Sequence, residues 1–408
     1  MQLFLPCAAG VEALLRDEIG LLLGGTPVTA RRGGVSVQTD PAGLTTLNLG
    51  SRLAQRVHIQ VAEAEYRHED ALYALARRVD WALWITPQHT LRVDTTAQRS
   101  PLRSLNFAAL RIKDAVCDHL REQSGTRPNV DTRAPDLQLL LHLAETRATL
   151  YVDASGESLF KRGWREDKGD APLKETLAAA MLAAAGWRGT PDAGGALHDP
   201  CCGSGTIAIE AAQIACGIAP GLQRRFAFER LLPFNTPPMR ALMQRLKSQA
   251  QSRVHAPTVP IFASDVSFRM LDFARRNAQR AGVAHAIDFH GGDALERPAP
   301  ALAHDLHGTL MLNPPYGERI EVSGKAARPS AEDRDTPSDF FARLAAHWKR
   351  QYTQHPAGWT AWVLSPDMKL PGAMRLKASL RVPMWNGPIE CRLFRFELMA
   401  GSARKPRV

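Results

Sequence analysis

Four short stretches carry residues whose types and order could do chemistry together. In HDPCCGSGTIAIEAA, His198–Ala212, an apolar strand ends at Asp199, and Gly203-Ser204-Gly205 then turns into an apolar helix. Glycines at such a turn let the backbone approach a ligand that a Cβ would push away. The first N–H groups of the helix attract a carboxylate, and the strand-end acid can hold an ammonium group. Alone, the pattern suits a dinucleotide site or a structural turn equally well, and it lacks the third glycine of the dinucleotide fingerprint. FASD puts Asp265 at the end of the next strand, placed to accept from ribose hydroxyls, and GGDAL puts Asp293 where it could accept from an adenine amino group. A strand-end aspartate is more often a helix cap than a ligand; it is the order of the three acids around a glycine turn that raises the odds.

The fourth stretch, LNPPYGER, Leu312–Arg319, is the most specific. An exocyclic base amine is a poor nucleophile because its lone pair is delocalised into the ring. Two acceptors, the Asn313 side-chain oxygen and the Pro314 carbonyl, can bind its hydrogens and favour a localised lone pair. Pro314 and Pro315 stiffen the loop, and Tyr316 can stack on a base drawn out of its helix. The bland reading, a proline-rich turn with a surface tyrosine, fits poorly with its place after the other three motifs. Together the groups read as a site for S-adenosylmethionine beside an exocyclic amine, with S-adenosylhomocysteine as product. Catalysis would be positional and electrostatic, without covalent intermediate or metal.

Elements must position these groups. From Lys174 on, strands alternate with helices: a buried Ala-rich helix Lys174–Ala185, strand Ala196–Pro200, helix Ser204–Ile214, strand Val259–Ser264, helix Phe268–Ala281, and strands Ala286–His290 and Gly308–Leu312. Thr336-Pro337-Ser338-Asp339 opens a helix to about Tyr352. Strand Trp359–Ser365 follows, and two last strands flank the tight turn Asn386-Gly387. This predicts an α/β fold, a Rossmann-like domain with a mostly parallel seven-stranded sheet. Asp199 and Asp265 lie 66 residues apart, more than one strand–helix–strand unit needs, so residues 213–256 hold an insertion. The preceding region mixes short helices (Val11–Leu23, Asp70–Val79, Phe107–Gln123) with strands (Val35–Thr39, Thr90–Thr95, Leu137–Leu143, Ala148–Val152), an α+β pattern with no catalytic cluster. Ser155–Pro172, charged and glycine-containing, is a hinge candidate.

Composition bounds the rest. The 408 residues are 45% apolar, enough for large cores. The net charge is +10, with residues 1–165 at +2 and residues 166–408 at +8. A basic surface suits a polyanion, although 41 Arg against 10 Lys also fits a GC-rich genome. Six cysteines without a C-x-x-C pair argue against zinc and disulfides and for reduced cytoplasmic thiols. The opening MQLFLPCAAGVEALL lacks the basic leading region of a signal peptide, and no run is long enough for a membrane span.

LPCAAGVEALLRDEI, SRLAQRVHI, LYALARRVDW, RPNVDTRAPDLQLLLHL, SGESLFKRGWR, APLKETLAAAML, DPCCGSGTIAIEAA, NPPYGERI and NGPIECRLFRFEL span nearly the whole chain. In them the chain resembles the RlmL family of THUMP-bearing large-subunit ribosomal RNA guanine-N2 methyltransferases. The resemblance implies N2-methylguanosine formation in 23S ribosomal RNA, with a tRNA guanosine or an N6-adenine amine as alternatives. It implies a ferredoxin-like subdomain at 1–60, a THUMP domain at 61–155, a linker at 156–172, the methyltransferase at 173–400 and a basic tail at 401–408. It adds Lys174, Glu175, Thr176, Pro200, Cys201, Ser204, Val266, Ala294 and Asn313 to Asp199, Gly203, Gly205, Asp265 and Asp293 as cofactor-binding candidates. Arg121, Arg127, Arg133, Arg162, Arg165 and Arg319 are the candidates for RNA contacts. The expected partner is RNA, with no DNA, membrane or metal, and the expected state is a monomer. Two departures stand out: Cys201 where the family often has Met, and a longer charged segment after Arg319, a lid or a solvated loop. A single methylation is expected, because the second methyltransferase of some members is absent. A cytosine-C5 enzyme would need its cysteine elsewhere than the glycine turn, and an RNA-binding assembly factor with a decayed site would not keep every cofactor position filled.

Overall fold

The computed structural model describes residues 1–169, 172–314 and 337–399 and divides into two units. Unit 1 comprises Met1–Cys7, Leu15–Leu159 and Gly221–Gln249, and unit 2 comprises Ala8–Leu14, Phe160–Pro220 and Ala250–Val408.

Residues 1–159 form β1 (Gln2–Pro6), α1 (Glu12–Leu22), β2 (Val28–Arg31), β3 (Gly34–Gln38), α2 (Pro41–Gly50), β4 (His58–Glu65), α3 (Glu69–Arg77), β5 (Thr90–Ala97), α4 (Leu105–Ser124), β6 (Asn129–Val130), β7 (Leu137–Leu143) and β8 (Arg147–Asp153). All eight strands join one sheet in the order β2-β3-β1-β4-β8-β7-β5-β6. Its pairings are antiparallel except β5 with β7 and with β6. Alternation explains the paired strands read from sequence: Leu137, Leu139, Leu141 and Leu143 are all fully buried, and the residues between them are not. The expected boundary at residue 60 falls inside β4, which pairs with β1 on one side and β8 on the other.

Unit 2 holds α5 (Glu175–Ala184), β9 (Ala196–Asp199), α6 (Thr206–Ala215), then, after α7 (Pro237–Ser252), β10 (Ile261–Asp265), α8 (Phe268–Arg280), β11 (Asp288–Gly291), β12 (Gly308–Leu312), α9 (Pro337–Gln351), β13 (Trp359–Ser365), α10 (Leu370–Ala373), β14 (Leu380–Asn386) and β15 (Ile389–Leu398). The sheet order is β11-β10-β9-β12-β13-β15-β14. The first five strands run parallel, and β15 and β14 close the edge antiparallel, as the turn at Asn386-Gly387 requires. This is the Rossmann-like sheet the alternation predicted. Strands β12 and β13 are buried along their whole length, so they read as apolar runs broken only by Thr309, Thr360 and Ser365. Around them Phe341, Leu344, Trp348, Trp359, Phe394 and Phe396 form one continuous core.

Most of the insertion does not stay with the sheet that it interrupts. Gly221–Gln249, which includes nearly all of α7, belongs to unit 1. The Gly221 N–H donates to Leu49 O, the Phe228 N–H to Ala154 O and the Leu232 N–H to Trp84 O, at 2.9, 3.0 and 3.0 Å.

The hinge candidate divides at Leu159: Ser155–Leu159 belongs to unit 1, and its described part from Phe160 on is anchored in unit 2. Trp164 is 1% exposed and Arg162 2%. The Arg162 guanidinium donates to both carboxylate oxygens of Glu210 on α6, at 3.0 and 3.4 Å, and Glu210 is fully buried. Arg162 is therefore a core cation and not an RNA contact. Removing one member of such a pair leaves a buried charge uncompensated. Arg162→Ala is expected to destabilise unit 2 by about 3–5 kcal/mol, whereas Arg162→Met combined with Glu210→Leu restores most of it. Urea denaturation followed by tryptophan fluorescence checks this; equal stability of the single and double variants would remove the pair from the account.

Candidate active site

The turn after β9 is built by two left-handed glycines. Gly205 has φ +89° and leads into α6, and a Cβ there would lie 2.9 Å from Ala274 Cβ on α8. Only glycine lets α6 and α8 approach so closely. Gly203 has φ +53°, but a Cβ there would meet nothing within 4 Å. Packing does not demand that glycine; the open space over it is a cradle a side chain would begin to fill.

Three carboxylates surround this turn. Asp199, 1% exposed at the end of β9, accepts from the Cys201 N–H at 3.3 Å through Oδ1, while its Oδ2 is buried with no partner. Burial, reinforced by the charge of Asp265, holds its carboxyl well above the usual carboxylate range. Asp265, at the end of β10, accepts from the Gly203 N–H and the Ser267 N–H, both at 2.8 Å, and burial raises it as well. One carboxylate thus ties the turn to the neighbouring strand. Asp293 follows β11 and accepts from the Leu295 N–H at 2.9 Å. Val266 is 45% exposed, and Ala294 is half-buried.

Asn313 follows β12, the strand paired to β9 on the side away from β10. Its Oδ1 is buried without a partner, and Pro314 beside it is buried. An unpaired buried acceptor costs about 1–3 kcal/mol, so Asn313 Oδ1 and Asp199 Oδ2 are two open acceptors held at the carboxyl ends of adjacent strands. Pro315, Tyr316, Arg319 and the charged segment after it lie outside the described residues.

Arg165, expected to contact RNA, does something else. Only 13% of its side chain is exposed. It donates to Glu175 Oε1 at 2.7 Å, Ser204 Oγ at 3.0 Å, Thr206 Oγ1 at 2.7 Å and Leu173 O at 3.3 Å. It therefore clamps the glycine turn and the first turn of α6 to the start of α5. Glu175 is 2% exposed, and burial raises its carboxyl despite the guanidinium beside it. Thr176 is buried too, and exposed Lys174 lies over the Phe160 ring at 5.3 Å. Sequence reading missed Asn277 on α8, fully buried, whose Nδ2 donates to Ser204 O at 3.1 Å and Asp167 O at 2.8 Å. An asparagine among helix charges gives no such signal.

Cys201 and Cys202 have thiols pushed well above their ordinary value by burial, so neither is a thiolate nucleophile. All six cysteines are free, and among the described residues no cluster of His, Cys, Asp or Glu could hold a metal ion. No described helix is long and apolar enough to cross a membrane. The RNA candidates on unit 1 are exposed: Arg121 and Arg127 both pair with Asp118, and Arg133 follows the turn capped by Asp131.

Comparison with known proteins agrees with this arrangement. Residues 162–395 match the family model described as RMKL-like, methyltransferase domain; residues 66–153 match a THUMP domain and residues 2–58 the RlmL ferredoxin-like domain. The ribosomal RNA large subunit methyltransferase K/L of Aeromonas salmonicida is 34% identical over 98% of the chain and 55% of that protein, so the chain spans about half the length of the curated relatives it matches. The solved structure of SMU.472 in complex with SAH is 27% identical, with TM-score 0.81 over 97% of both chains. That of a predicted N6-adenine-specific DNA methylase from Listeria monocytogenes is also 27% identical, with TM-score 0.81 over 97% of this chain and 95% of its own. With a glycine turn, three strand-end acids and an open asparagine acceptor in one parallel sheet, and with that match over more than half its length, the chain belongs to the RMKL-like methyltransferase family.

Proposed function

We propose that this protein transfers a methyl group from S-adenosylmethionine to the exocyclic N2 amine of a guanine in large-subunit ribosomal RNA. The observation that carries the reading is the pair of buried, unpartnered acceptors, Asp199 Oδ2 and Asn313 Oδ1, on adjacent strands. The first suits an ammonium and the second an amine. The match to a THUMP domain and the names of the curated relatives support RNA, and ribosomal RNA in particular.

S-adenosylmethionine supplies an electrophilic methyl on a sulfonium. The chain's own residues do the rest. Asp199 holds the ammonium end, and the first N–H groups of α6 face the carboxylate. Asp265 retains acceptor capacity for ribose hydroxyls beyond its two backbone partners, and Asp293 does so for the adenine amine. Asn313 Oδ1 and the Pro314 carbonyl accept the two N–H groups of the target amine and turn its lone pair toward the methyl. As the amine took the methyl and the methyl–sulfur bond broke to leave the neutral thioether of S-adenosylhomocysteine, positive charge would develop on the amine and these acceptors would stabilise it; the methylated nitrogen would then shed one proton to solvent. A second reading, an adenine N6 amine, is favoured by the Listeria structure, because the same two acceptors suit any exocyclic amine. Nucleoside analysis of large-subunit RNA from cells with and without the protein separates the two: N2-methylguanosine at one position disappears under the first reading, N6-methyladenosine under the second.

Asn313→Ala is expected to lower methyl transfer about 100- to 1000-fold, the effect of removing one group aimed at developing charge. Cofactor affinity should stay within a few fold, because Asn313 faces the target amine. Single-turnover methylation with the cofactor at saturation measures this, and near-normal turnover would take Asn313 out of the mechanism. A pH effect follows from Asp199. Its carboxyl is raised in the free protein, whereas an ammonium favours the carboxylate, so cofactor binding must expel a proton. Affinity should therefore rise with pH up to the carboxyl's free-state pKa and level off above it, and Asp199→Asn should flatten the profile. Calorimetry of S-adenosylhomocysteine binding in buffers of different ionisation enthalpy reads the proton directly; no proton released below the plateau would rule out the contact.

A further inference from the structure

The charge of unit 1 has an uneven origin. Its segments 1–7 and 15–159 hold 17 basic and 17 acidic side chains and are neutral overall. The remaining segment, Gly221–Gln249, adds six basic residues, Arg224, Arg225, Arg230, Arg240, Arg245 and Lys247, against the single acid Glu229. All the net positive charge of this unit, +5, thus arrives on a piece of chain threaded out of the methyltransferase match.

Within the segment the cations divide into two groups. Arg224 is 7% exposed and donates to Ser158 O and Glu157 O at 2.9 and 2.6 Å, and Arg230 donates to Pro135 O at 3.0 Å. These two fasten the segment down. Arg225, Arg240 and Arg245 are exposed. Arg240 rests on the neutral oxygens of Asn235, and among the described residues the side chains of Arg225 and Arg245 have neither hydrogen bond nor ion pair. Lys247 donates to the neutral Arg224 O at 2.8 Å, and Glu229 is occupied with the Phe226 N–H at 2.7 Å. The Arg230 tether ends on the loop 131–136, which carries exposed Arg133. By contrast, the paired arginines near the end of α4 share Asp118.

Exposed cations without counter-charges repel one another and raise the energy of the folded surface unless a polyanion meets them. We propose that Arg225, Arg240 and Arg245, with Arg133 of the adjoining loop, form the phosphate-contacting surface of the THUMP-bearing unit, and that their ligand is the backbone of the RNA substrate. This rests on the RNA reading above and assigns most of the grip to the inserted segment, with Arg133 the one contribution from the segments before residue 160. The neutral acceptors under Arg240 fix its position while leaving its charge for phosphate oxygens.

The test uses the full chain carrying Arg225→Gln, Arg240→Gln and Arg245→Gln together, with a transcript of large-subunit ribosomal RNA as probe. Each lost phosphate contact lowers the slope of log affinity against log salt by about 0.7–0.9, so a total loss of about 2–3 is expected. Melting temperature and S-adenosylhomocysteine affinity should be unchanged. A control with the same loss of charge, Arg16→Gln, Arg111→Gln and Arg147→Gln, removes arginines already paired with Asp17, Asp70 and Glu63 and should shift the slope by less than one. An unchanged slope in the first variant, as expected if the surface instead meets an acidic protein, overturns the proposal, and so does an equal shift in the control. If the unaltered protein itself shows no salt-dependent RNA binding, the RNA reading fails first.

Discussion

A largely buried guanidinium holds the turn after β9 in place. That turn must keep two glycines in left-handed geometry and present Asp199 close enough to Asp265 to feel its charge. Left alone, such a loop would relax. Arg165 prevents this by joining the hydroxyls of Ser204 and Thr206 to the carboxylate of Glu175, while Asp265 holds the Gly203 N–H from the next strand. Two helices and two strands therefore meet through charge-assisted hydrogen bonds, which are stronger and more directional than neutral ones. Their order lets Gly203 face open space without losing its shape.

Desolvation is the second theme of the site. Burial lifts Asp199 and Asp265 and both neighbouring thiols of Cys201 and Cys202 in the same direction, toward their neutral forms. Farther into the sheet, burial pushes His198 down to about 3, so it too is neutral between Tyr352 and Ser264. Burial thus opposes fixed charge at this end of the sheet, a bias that a cationic group bound there would offset.

How much of this could be read from the residues alone depends on the range of the signal. The strands and helices of unit 2 were legible because period and punctuation are local: Asp199 before the glycines, Asn386-Gly387 between the last two strands. So was the placing of Asp199, Asp265, Asp293 and Asn313 after the carboxyl ends of their strands, since in a parallel sheet all strand ends after the crossovers emerge on one edge. Strands β1 and β4 were missed, as was α2, because they are held by pairing with distant partners more than by their own pattern. Arg162 and Arg165 were misread for a related reason. In a charged stretch such as KRGWRED nothing local distinguishes a solvated arginine from one that will meet Glu210 or Glu175 far along the chain. The insertion was detectable as excess length, but which unit it would join was decided by long-range hydrogen bonds to Leu49, Trp84 and Ala154.

That detour of the chain also sets a timetable for synthesis. Unit 1 needs residues up to Gln249, yet its sheet is complete at Asp153. At a translation rate of about 5–20 residues per second, the sheet emerges several seconds before the segment that covers Trp84 and Ala154 and neutralises nothing but brings its cations. During that interval two helices and one strand of unit 2 leave the ribosome, while Phe228 and Phe234, which end up buried in unit 1, are still to come. One half of the chain therefore stays unfinished while the other is being started.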